Sequence, residues 1–168
     1  MKQNLRQSGP TAVSTKRRGF IVVSSHLSIQ VRVIRAVHWH CLQLLPKEGC
    51  GILAGQAPTI TRFFPIPNRD NSNQTFSFDP RAYLDTIRKM RREGLDWLGI
   101  VHSHPDTEPY PSARDITHWH YPELSHWILS LRDRRPRLSA YYIQHGRVIP
   151  VMYQVLTDRD STDRSRME

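Results

Sequence analysis

Residues that could bind a metal ion or take part in catalysis are concentrated in one stretch of the chain, from His102 to Asp115. The apolar residues 97–101 that precede it are typical of a short buried strand. On a strand, residues two apart point to the same face of the sheet. His102 and His104 would therefore direct their imidazoles at one point, while Ser103 turns to the opposite face.

The segment after the second histidine is predicted to be a loop, because three prolines in residues 105–111 cannot continue a strand ladder. Ser112 then has the position of a helix N-cap, and Asp115 lies one turn further along. Such a loop can return Asp115 to the two histidines. Two imidazoles and a carboxylate, with a fourth position open for water, are typical protein ligands of a catalytic zinc ion. The sequence therefore predicts a metal site.

Hydrophobic periodicity predicts strands and helices in irregular alternation around this stretch, an order that fits a mixed sheet covered by helices. Strands are predicted at residues 20–23, 50–54, 59–66, 126–131, 138–144 and 148–156. The second and third of these are predicted to form one hairpin, and the last two another. Helices are predicted at residues 29–45 (capped by Ser28), 80–93 (capped by Asp79) and 112–121. The apolar stripe of the second helix should face the sheet with Tyr83, Leu84, Ile87 and Met90.

The composition bounds the number of domains. The chain has 168 residues, enough for one domain with a hydrophobic core but not comfortably for two. Its 38% hydrophobic and 23% charged residues are typical of a globular protein. We expect a disordered basic tail over residues 1–18, which we favour over a transit peptide, one domain over residues 19–156, and a flexible tail over residues 157–168.

The two cysteines, Cys41 and Cys50, bear on the compartment. Because no secretory signal precedes them, they indicate a reducing environment rather than a disulfide framework, and we expect a cytoplasmic protein. No Cys-x-x-Cys is present, which excludes a zinc knuckle built on thiolates.

The positive charge of the chain bears on its partners. The formal net charge is +9 and the pI is near 10.1. The basic residues are scattered over several segments, without the interleaved aromatics of a platform for single-stranded nucleic acid. We therefore expect no specific nucleic-acid partner and no membrane partner. A solvated surface or an acidic protein partner is the favoured use of the charge.

Two further pairs of histidines have the same spacing as His102 and His104. His38 and His40 fall on a predicted helix, where residues two apart are separated by about 200° around the axis and cannot bind one ion. His118 and His120 follow Asp115. An exposed surface position is favoured for His118, and support of a ligand from the next turn is the alternative.

The ligand stretch, together with a segment upstream, resembles a known signature. His102-Ser-His104-Pro105 followed by Ser112-x-x-Asp115, with Glu48 upstream in Pro-x-Glu-x-Cys-Gly-Ile-Leu-x-Gly, is similar to the JAMM (MPN+) metalloproteases, especially their compact prokaryotic members. The resemblance covers roughly residues 19–156. It implies an α/β fold of the MPN/JAB, cytidine-deaminase-like type, with a curved mixed β-sheet flanked by helices. It also implies a zinc ion bound by His102, His104 and Asp115, with Glu48 as general acid/base and Ser112 holding the oxyanion.

The same resemblance implies a substrate. It is an amide or isopeptide bond after the C-terminal Gly-Gly of a ubiquitin-like protein, which in bacteria is typically a small sulfur carrier. The chemistry agrees, since zinc lowers the pKa of bound water toward about 7 and a nearby carboxylate such as Glu48 can move its proton. The released amine could be cysteine, a lysine side chain or a peptide, and a homodimer is left open.

Two other classes were weighed against the peptidase. A non-catalytic scaffold of the same fold is the alternative, although the full set of ligands and the glutamate argue against it. A zinc nucleobase deaminase would need His-x-Glu followed by Pro-Cys-x-x-Cys, which the sequence lacks.

Overall fold

A computed structural model of the chain describes residues 26–157. The predicted strand at residues 20–23, the predicted tail at residues 1–18 and residues 158–168 of the C-terminal tail lie outside this part of the chain. No helix within residues 26–157 is long and apolar enough to cross a membrane.

Strands and helices alternate irregularly along the described residues, as the periodicity predicted. In chain order they are β1 (Leu27–Gln30), α1 (Val31–Leu44), β2 (Cys50–Gln56), β3 (Thr59–Ile66), α2 (Pro80–Arg92), β4 (Asp96–His104), α3 (Ala113–His118), β5 (Ser125–Ser130), β6 (Arg137–Gln144), β7 (Arg147–Val151) and β8 (Tyr153–Leu156).

The strands form one mixed sheet in the order β7-β6-β5-β4-β2-β3-β1-β8. The strands β7 and β8 lie at opposite edges of this order, although Met152 alone separates them in the chain. Cα atoms two residues apart are at most about 7 Å from each other, so the two edges must meet and the sheet must curl. A hydrogen bond across the curl, from the hydroxyl of Tyr153 to the carbonyl of Leu138 (2.7 Å), agrees with this. The predicted curved mixed sheet flanked by helices is confirmed.

The sheet has two apolar faces, each covered by a different helix. One cluster packs under α1 and includes Val37, Cys41 and Val101, while the other packs under α2 and includes Met90 and Ile100. The consecutive residues Ile100 and Val101 of β4 thus lie on opposite faces. Continuing the alternation places His102 and His104 on the α2 face and Ser103 on the α1 face.

The first helix begins later than predicted. Residues 29–45 were expected to be helical with Ser28 as the cap, but Leu27–Gln30 is strand β1 and the N-cap is Gln30, whose side chain makes no capping bond. The amide of Ser28 instead donates to the carbonyl of Pro58 (3.0 Å). Parallel pairing with β3 and β8 buries Leu27 and Ile29, and this tertiary pairing outweighs a helical periodicity that continues across the boundary.

Three smaller expectations were also wrong. The predicted strand at 148–156 divides at Met152, because its second half leaves β6 and pairs with β1. The third helix ends at His118 rather than at residue 121. Leu84, expected to face the sheet, is 51% exposed, whereas Ile87 and Met90 of the same stripe are buried.

The elements that bracket the site agree with the prediction. The strands β2 and β3 form the expected antiparallel hairpin. Asp79 caps α2 by accepting a hydrogen bond from the amide of Ala82 (2.8 Å), and Gly94 ends this helix with a positive φ of 64°. The strand predicted at residues 97–101 lies within β4.

Candidate metal and catalytic site

The end of β4 presents two imidazoles on one face of the sheet. His102 and His104 are 1% and 5% exposed, and their Nε2 atoms lie 3.0 Å apart. Between them, Ser103 faces the opposite side, where its hydroxyl accepts a hydrogen bond from the amide of Gly49 (2.8 Å). The alternation of a strand therefore brings the two rings to one point, as the sequence predicted.

Helix α3 brings a carboxylate to the same point. Asp115 and Ser112 form a capping box, in which the Ser112 oxygen accepts from the Asp115 amide (3.1 Å) and the Asp115 carboxylate accepts from the Ser112 amide (2.7 Å). The cap predicted at Ser112 is confirmed. It holds Oδ2 of Asp115 3.5 Å from Nε2 of His102 and 3.8 Å from Nε2 of His104.

These three side chains could hold a metal ion. One ligand atom from each side chain lies within 4.8 Å of the other two. Among the His, Cys, Asp and Glu side chains of residues 26–157, these three form the group that is close enough to share one ion. Ligand atoms on a tetrahedral zinc ion lie roughly 3.3 Å apart, because each is about 2.0–2.1 Å from the metal. The observed separations of 3.0, 3.5 and 3.8 Å fit that spacing.

The pKa values of the three side chains bear on whether these groups can bind a cation. Burial lowers the pKa of His102, which keeps its ring neutral and its nitrogen lone pair available. Burial would raise the pKa of Asp115, but hydrogen bonds from His102, His104 and Ser112 outweigh it and hold this pKa well below its usual range. Burial would lower the pKa of His104, but its hydrogen bonds with Asp115 and the carbonyl of Glu108 outweigh it and raise this pKa. Metal binding requires an unprotonated ring nitrogen and releases the proton. With a cation bound, the donor set would therefore be two neutral imidazoles and one carboxylate.

The outward nitrogen of each imidazole has its own partner. Nδ1 of His104 bonds to the backbone carbonyl of Glu108 (2.8 Å), which requires a proton on Nδ1 and leaves Nε2 free to bind a metal. Nδ1 of His102 lies 3.3 Å from Nε2 of the buried His126, on the neighbouring strand β5. Both rings thus point Nε2 inward, toward Asp115.

Glu48 lies two residues before β2, beside the histidines. Cys50 is paired with His102, and the amide of Ser103 donates to the carbonyl of Gly49 (2.9 Å), so continuing the register brings Glu48 level with His104. The glutamate is 4% exposed. Burial, opposed by His104 and reinforced by Asp115, raises the pKa of Glu48 to about 7. A carboxyl group with such a pKa can both accept and donate a proton near neutral pH.

A polar loop holds the backbone of Glu48. The amide of Glu48 donates to the carbonyl of Ser72 (2.8 Å), and its carbonyl accepts from Nδ2 of Asn68 (3.1 Å). The same Asn68 amide group donates to Thr75 and accepts from the backbone amides of Asp70 and Ser77. Asn68 therefore uses both its donors and its acceptor oxygen, and it ties Glu48 to residues 68–77.

Gly49 allows Glu48 to lie this close to α1. A Cβ atom at Gly49 would be 3.1 Å from Sγ of Cys41 and 3.1 Å from Cδ1 of Leu44, closer than side chains normally pack. A larger residue would require α1 or its side chains to shift by a few tenths of an ångström. Gly49 thus lets the backbone beside Glu48 approach the helix closely.

The hydroxyl of Ser112 can donate one hydrogen bond, and in this structure it donates to Asp115. Oγ of Ser112 donates to Oδ2 of Asp115 at 2.7 Å. To donate elsewhere, the hydroxyl would have to rotate away, and the backbone amide of Ser112 would still hold the same carboxylate oxygen at 2.7 Å.

An aromatic cavity of about 470 Å³ opens beside the ligands. Asp115 and His126 contribute to its wall, and the ring of Phe76, also in the wall, stacks on His102 at a centroid distance of 4.4 Å. Five further rings of Phe, Tyr and Trp line it: Phe78, Tyr83, Trp97, Trp119 and Tyr121. Arg114 and His118 add cationic or polar groups. The cavity can accept an apolar group close to the metal ligands.

Sequence reasoning missed two residues of the site and weighed a third. The sequence predicts His126 only as part of a strand, and Asn68 lies outside every predicted strand and helix. Their partners are 24 and 20 residues away, and no local pattern marks such contacts. His118 is exposed, and its Nδ1 bonds to the carbonyl of Arg114 (3.0 Å) within its own helix, which agrees with the surface position that was favoured.

Comparison with known proteins gives related sequences. The family described as prokaryotic homologs of the JAB domain matches residues 30–143. The chain is 31% identical over 135 residues to a CysO-cysteine peptidase of Mycobacterium tuberculosis, covering 79% of this chain and 90% of that protein. It is 42% identical over 86 residues to a probable TtuB-protein conjugate cleaving protease of Thermus thermophilus, covering 49% of this chain and 57% of that protein.

A solved structure is also similar over most of the chain. The solution structure of protein DSY2949 from Desulfitobacterium hafniense superposes with a TM-score of 0.73 at 31% sequence identity. The match covers 79% of this chain and 94% of that one. The likeness therefore extends over nearly the whole curled sheet and its helices.

Proposed function

The chain belongs to the family of prokaryotic homologs of the JAB domain, and from this premise we propose that it is a zinc-dependent peptidase. Its substrate would be the amide or isopeptide bond after the C-terminal Gly-Gly of a ubiquitin-like or sulfur-carrier protein. One observation carries the proposal: His102, His104 and Asp115 converge beside the buried Glu48, whose pKa burial raises to about 7.

We propose that three side chains bind the metal ion. His102 and His104 would hold zinc through Nε2, and Asp115 through its carboxylate. When bound, zinc supplies Lewis acidity and activates water near neutral pH.

The catalytic domain extends in this proposal over residues 19–156, with tails at residues 1–18 and 157–168. The closure of the sheet by β8, which ends at Leu156, supports the C-terminal limit.

Glu48 acts as the general acid/base in this proposal. An ionised Glu48 accepts a proton from the attacking water, and the protonated carboxyl group then delivers this proton to the leaving amine. A pKa raised to about 7 makes both steps feasible at neutral pH, whereas the carboxylate of an ordinary glutamate would be a weaker base toward the attacking water. Asn68 and Ser72 hold the backbone of Glu48 in place during both steps.

Ser112 stabilises the negative charge that develops on the carbonyl oxygen. Its hydroxyl must first turn from Asp115, to which it donates in this structure, toward the substrate. The Ser112 amide keeps its own bond to Asp115, so the carboxylate stays in position when the hydroxyl rotates. Once turned, a hydrogen-bond donor to the oxyanion is among the larger contributions to acyl-transfer catalysis.

The substrate class is supported by the names of two relatives. One acts on a CysO-cysteine adduct and the other on TtuB-protein conjugates, so the two names indicate different released amines. The formal charge of +9 favours an acidic carrier protein. The aromatic cavity beside the ligands is open to an apolar side chain of such a substrate.

The deciding experiment offers zinc-loaded protein three adducts of a sulfur-carrier protein. Each adduct bears cysteine, a lysine side chain or a short peptide on its C-terminal glycine, and intact mass spectrometry follows the reaction. We expect at least one adduct to lose the mass of its amine, and the Glu48→Gln protein to leave it unchanged. If every adduct stays intact although the protein holds zinc and binds the carrier, the non-catalytic scaffold is the correct function.

A further inference from the structure

The ligand His102 is supported by a residue outside the family signature, His126 of strand β5. Nε2 of His126 lies 3.3 Å from Nδ1 of His102, and their rings meet edge to face with centroids 5.1 Å apart. His126 is paired with Ile100 across the parallel ladder of β4 and β5. His102 lies two residues beyond Ile100, so both imidazoles project from the same face of the sheet.

The direction of this hydrogen bond follows from the ligand geometry. Nε2 of His102 faces His104 and Asp115, so this nitrogen must be unprotonated to bind a metal ion. A neutral imidazole then carries its proton on Nδ1, where it donates to Nε2 of His126. His126 must therefore act as the acceptor, with its own proton on Nδ1.

The surroundings of His126 favour a role beyond packing. The side chain is 1% exposed and contacts the Trp119 ring, with centroids 4.7 Å apart. Its Nδ1 atom has no hydrogen-bond partner among residues 26–157. An apolar side chain would fill this buried position without leaving a polar atom unpaired. The contact to His102 is the polar contact that an apolar replacement would lose.

We propose that His126 is a positioning residue for the metal site, which fixes the tautomer and the ring orientation of His102 by accepting its Nδ1 proton. The inference rests on the proposed function, because it assumes that His102 binds the metal through Nε2. The two histidine ligands are thus held differently, His104 by a backbone carbonyl and His102 by a side chain. Substitution can remove only the second of these supports.

Two amide replacements provide a sharp test. The terminal group of glutamine in His126→Gln reaches the place of Nε2, whereas the shorter side chain in His126→Asn reaches only the place of Nδ1. Both are polar and buried in the same cavity wall, so a loss specific to asparagine reports the bond to His102. His126→Leu removes the acceptor altogether. His40→Leu is the matched control, since His40 also has a buried nitrogen without a partner among residues 26–157 and contacts Phe63 on the other face of the sheet.

The readouts are zinc affinity, by competition with a chelating dye, and the visible spectrum of the Co²⁺-loaded protein, which reports ligand geometry. Loss of a group that orients a ligand typically weakens metal binding about 10–100-fold. We expect such a loss in His126→Asn and His126→Leu, with a changed Co²⁺ spectrum, and near-normal affinity in His126→Gln and His40→Leu.

Two outcomes would overturn the inference, and they are distinguishable. If the unmodified protein binds zinc and all three His126 variants bind it equally well, with at most a lower melting temperature, His126 only packs. If the unmodified protein binds no zinc, the proposed function fails and the inference fails with it. Should His126→Leu not fold, the comparison of His126→Gln with His126→Asn decides alone.

Discussion

The end of strand β4 and helix α1 carry the same sequence pattern, two histidines separated by one residue. On β4, His102 and His104 are buried and their Nε2 atoms lie 3.0 Å apart. On α1, His38 and His40 point in directions about 200° apart, because a helix turns about 100° per residue. One of them, His40, packs its ring against Phe63 instead. The difference teaches that the spacing of two ligands has no meaning until the backbone period is known.

A second difference lies in what surrounds each pair. The pair on β4 has a third candidate ligand beside it, Asp115, and a carboxyl group of raised pKa, Glu48. Each of its outer nitrogens also has a partner of its own. Helix α1 lies on the opposite face of the sheet, where Ser103 and Cys41 meet. Among residues 26–157, the group of side chains that could hold a metal ion therefore lies on the α2 face of the sheet, at the end of β4.

Removing one histidine from each pair would test the comparison with the largest effect. We expect His104→Ala to lose stoichiometric zinc and all measurable hydrolysis, because it deletes one of three protein ligands. The matched change on the helix, His40→Ala, should leave both unchanged. Metal analysis of the purified proteins measures the zinc content, and the mass-based cleavage assay measures hydrolysis. Unaltered zinc affinity in His104→Ala would show that the ligand assignment is wrong.

The role of Glu48 sharpens the comparison, because the group within residues 26–157 that could hold a metal ion includes neither His38 nor His40. We expect Glu48→Gln to keep its zinc and to lose about 10²–10⁴ in kcat, the usual contribution of a general acid/base. Glu93→Gln is the control, since that carboxylate pairs with Arg62 (3.1 Å) just beyond the end of α2. Full activity of the Glu48 variant would rule out the proposed mechanism.

We expect Ser112 both to stabilise the oxyanion and to cap α3, and substitutions can separate these two roles. Ser112→Ala should lower kcat about 10²–10³-fold through the lost donor. It should also destabilise the protein by about 1 kcal/mol through the lost cap. Ser112→Thr keeps a hydroxyl in both roles and should restore most of the activity. A normal kcat with a lowered melting temperature in Ser112→Ala would leave Ser112 as a cap alone.

The pH dependence gives the smallest of these effects. Glu48 must be ionised to accept a proton, and burial raises its pKa from 4.5 to about 7. Below its pKa the ionised fraction of Glu48 falls tenfold per pH unit. The value of kcat/KM should therefore fall toward acid pH, and the apparent pKa of this acid limb should lie well above 4.5. A bound cation would move this limb downward from 7 but would not remove the effect of burial. A limb at 4.5 would mean that Glu48 is not the titrating base.

Much of the fold was predictable where the determining interactions are local. The hairpin of β2 and β3, the cap and start of α2, and the strand before the histidines were all confirmed. The strand β1 was not, because Leu27 and Ile29 also fit the helical period of the residues that follow. The break at Met152 was missed for a similar reason, since no residue of the β7–β8 stretch marks where its pairing partner changes.

The site shows the same division. The sequence by itself determined which side chains could bind a metal, that His102 and His104 share one face of a strand, and that Ser112 begins a helix carrying Asp115. Each of these depends on the period or the cap of one short segment. Only the tertiary structure brought Glu48 level with His104, placed His126 behind His102 and directed the Ser112 proton to Asp115. Such contacts depend on the register between segments far apart in the chain, and that register is set by how the whole sheet closes and buries its two faces.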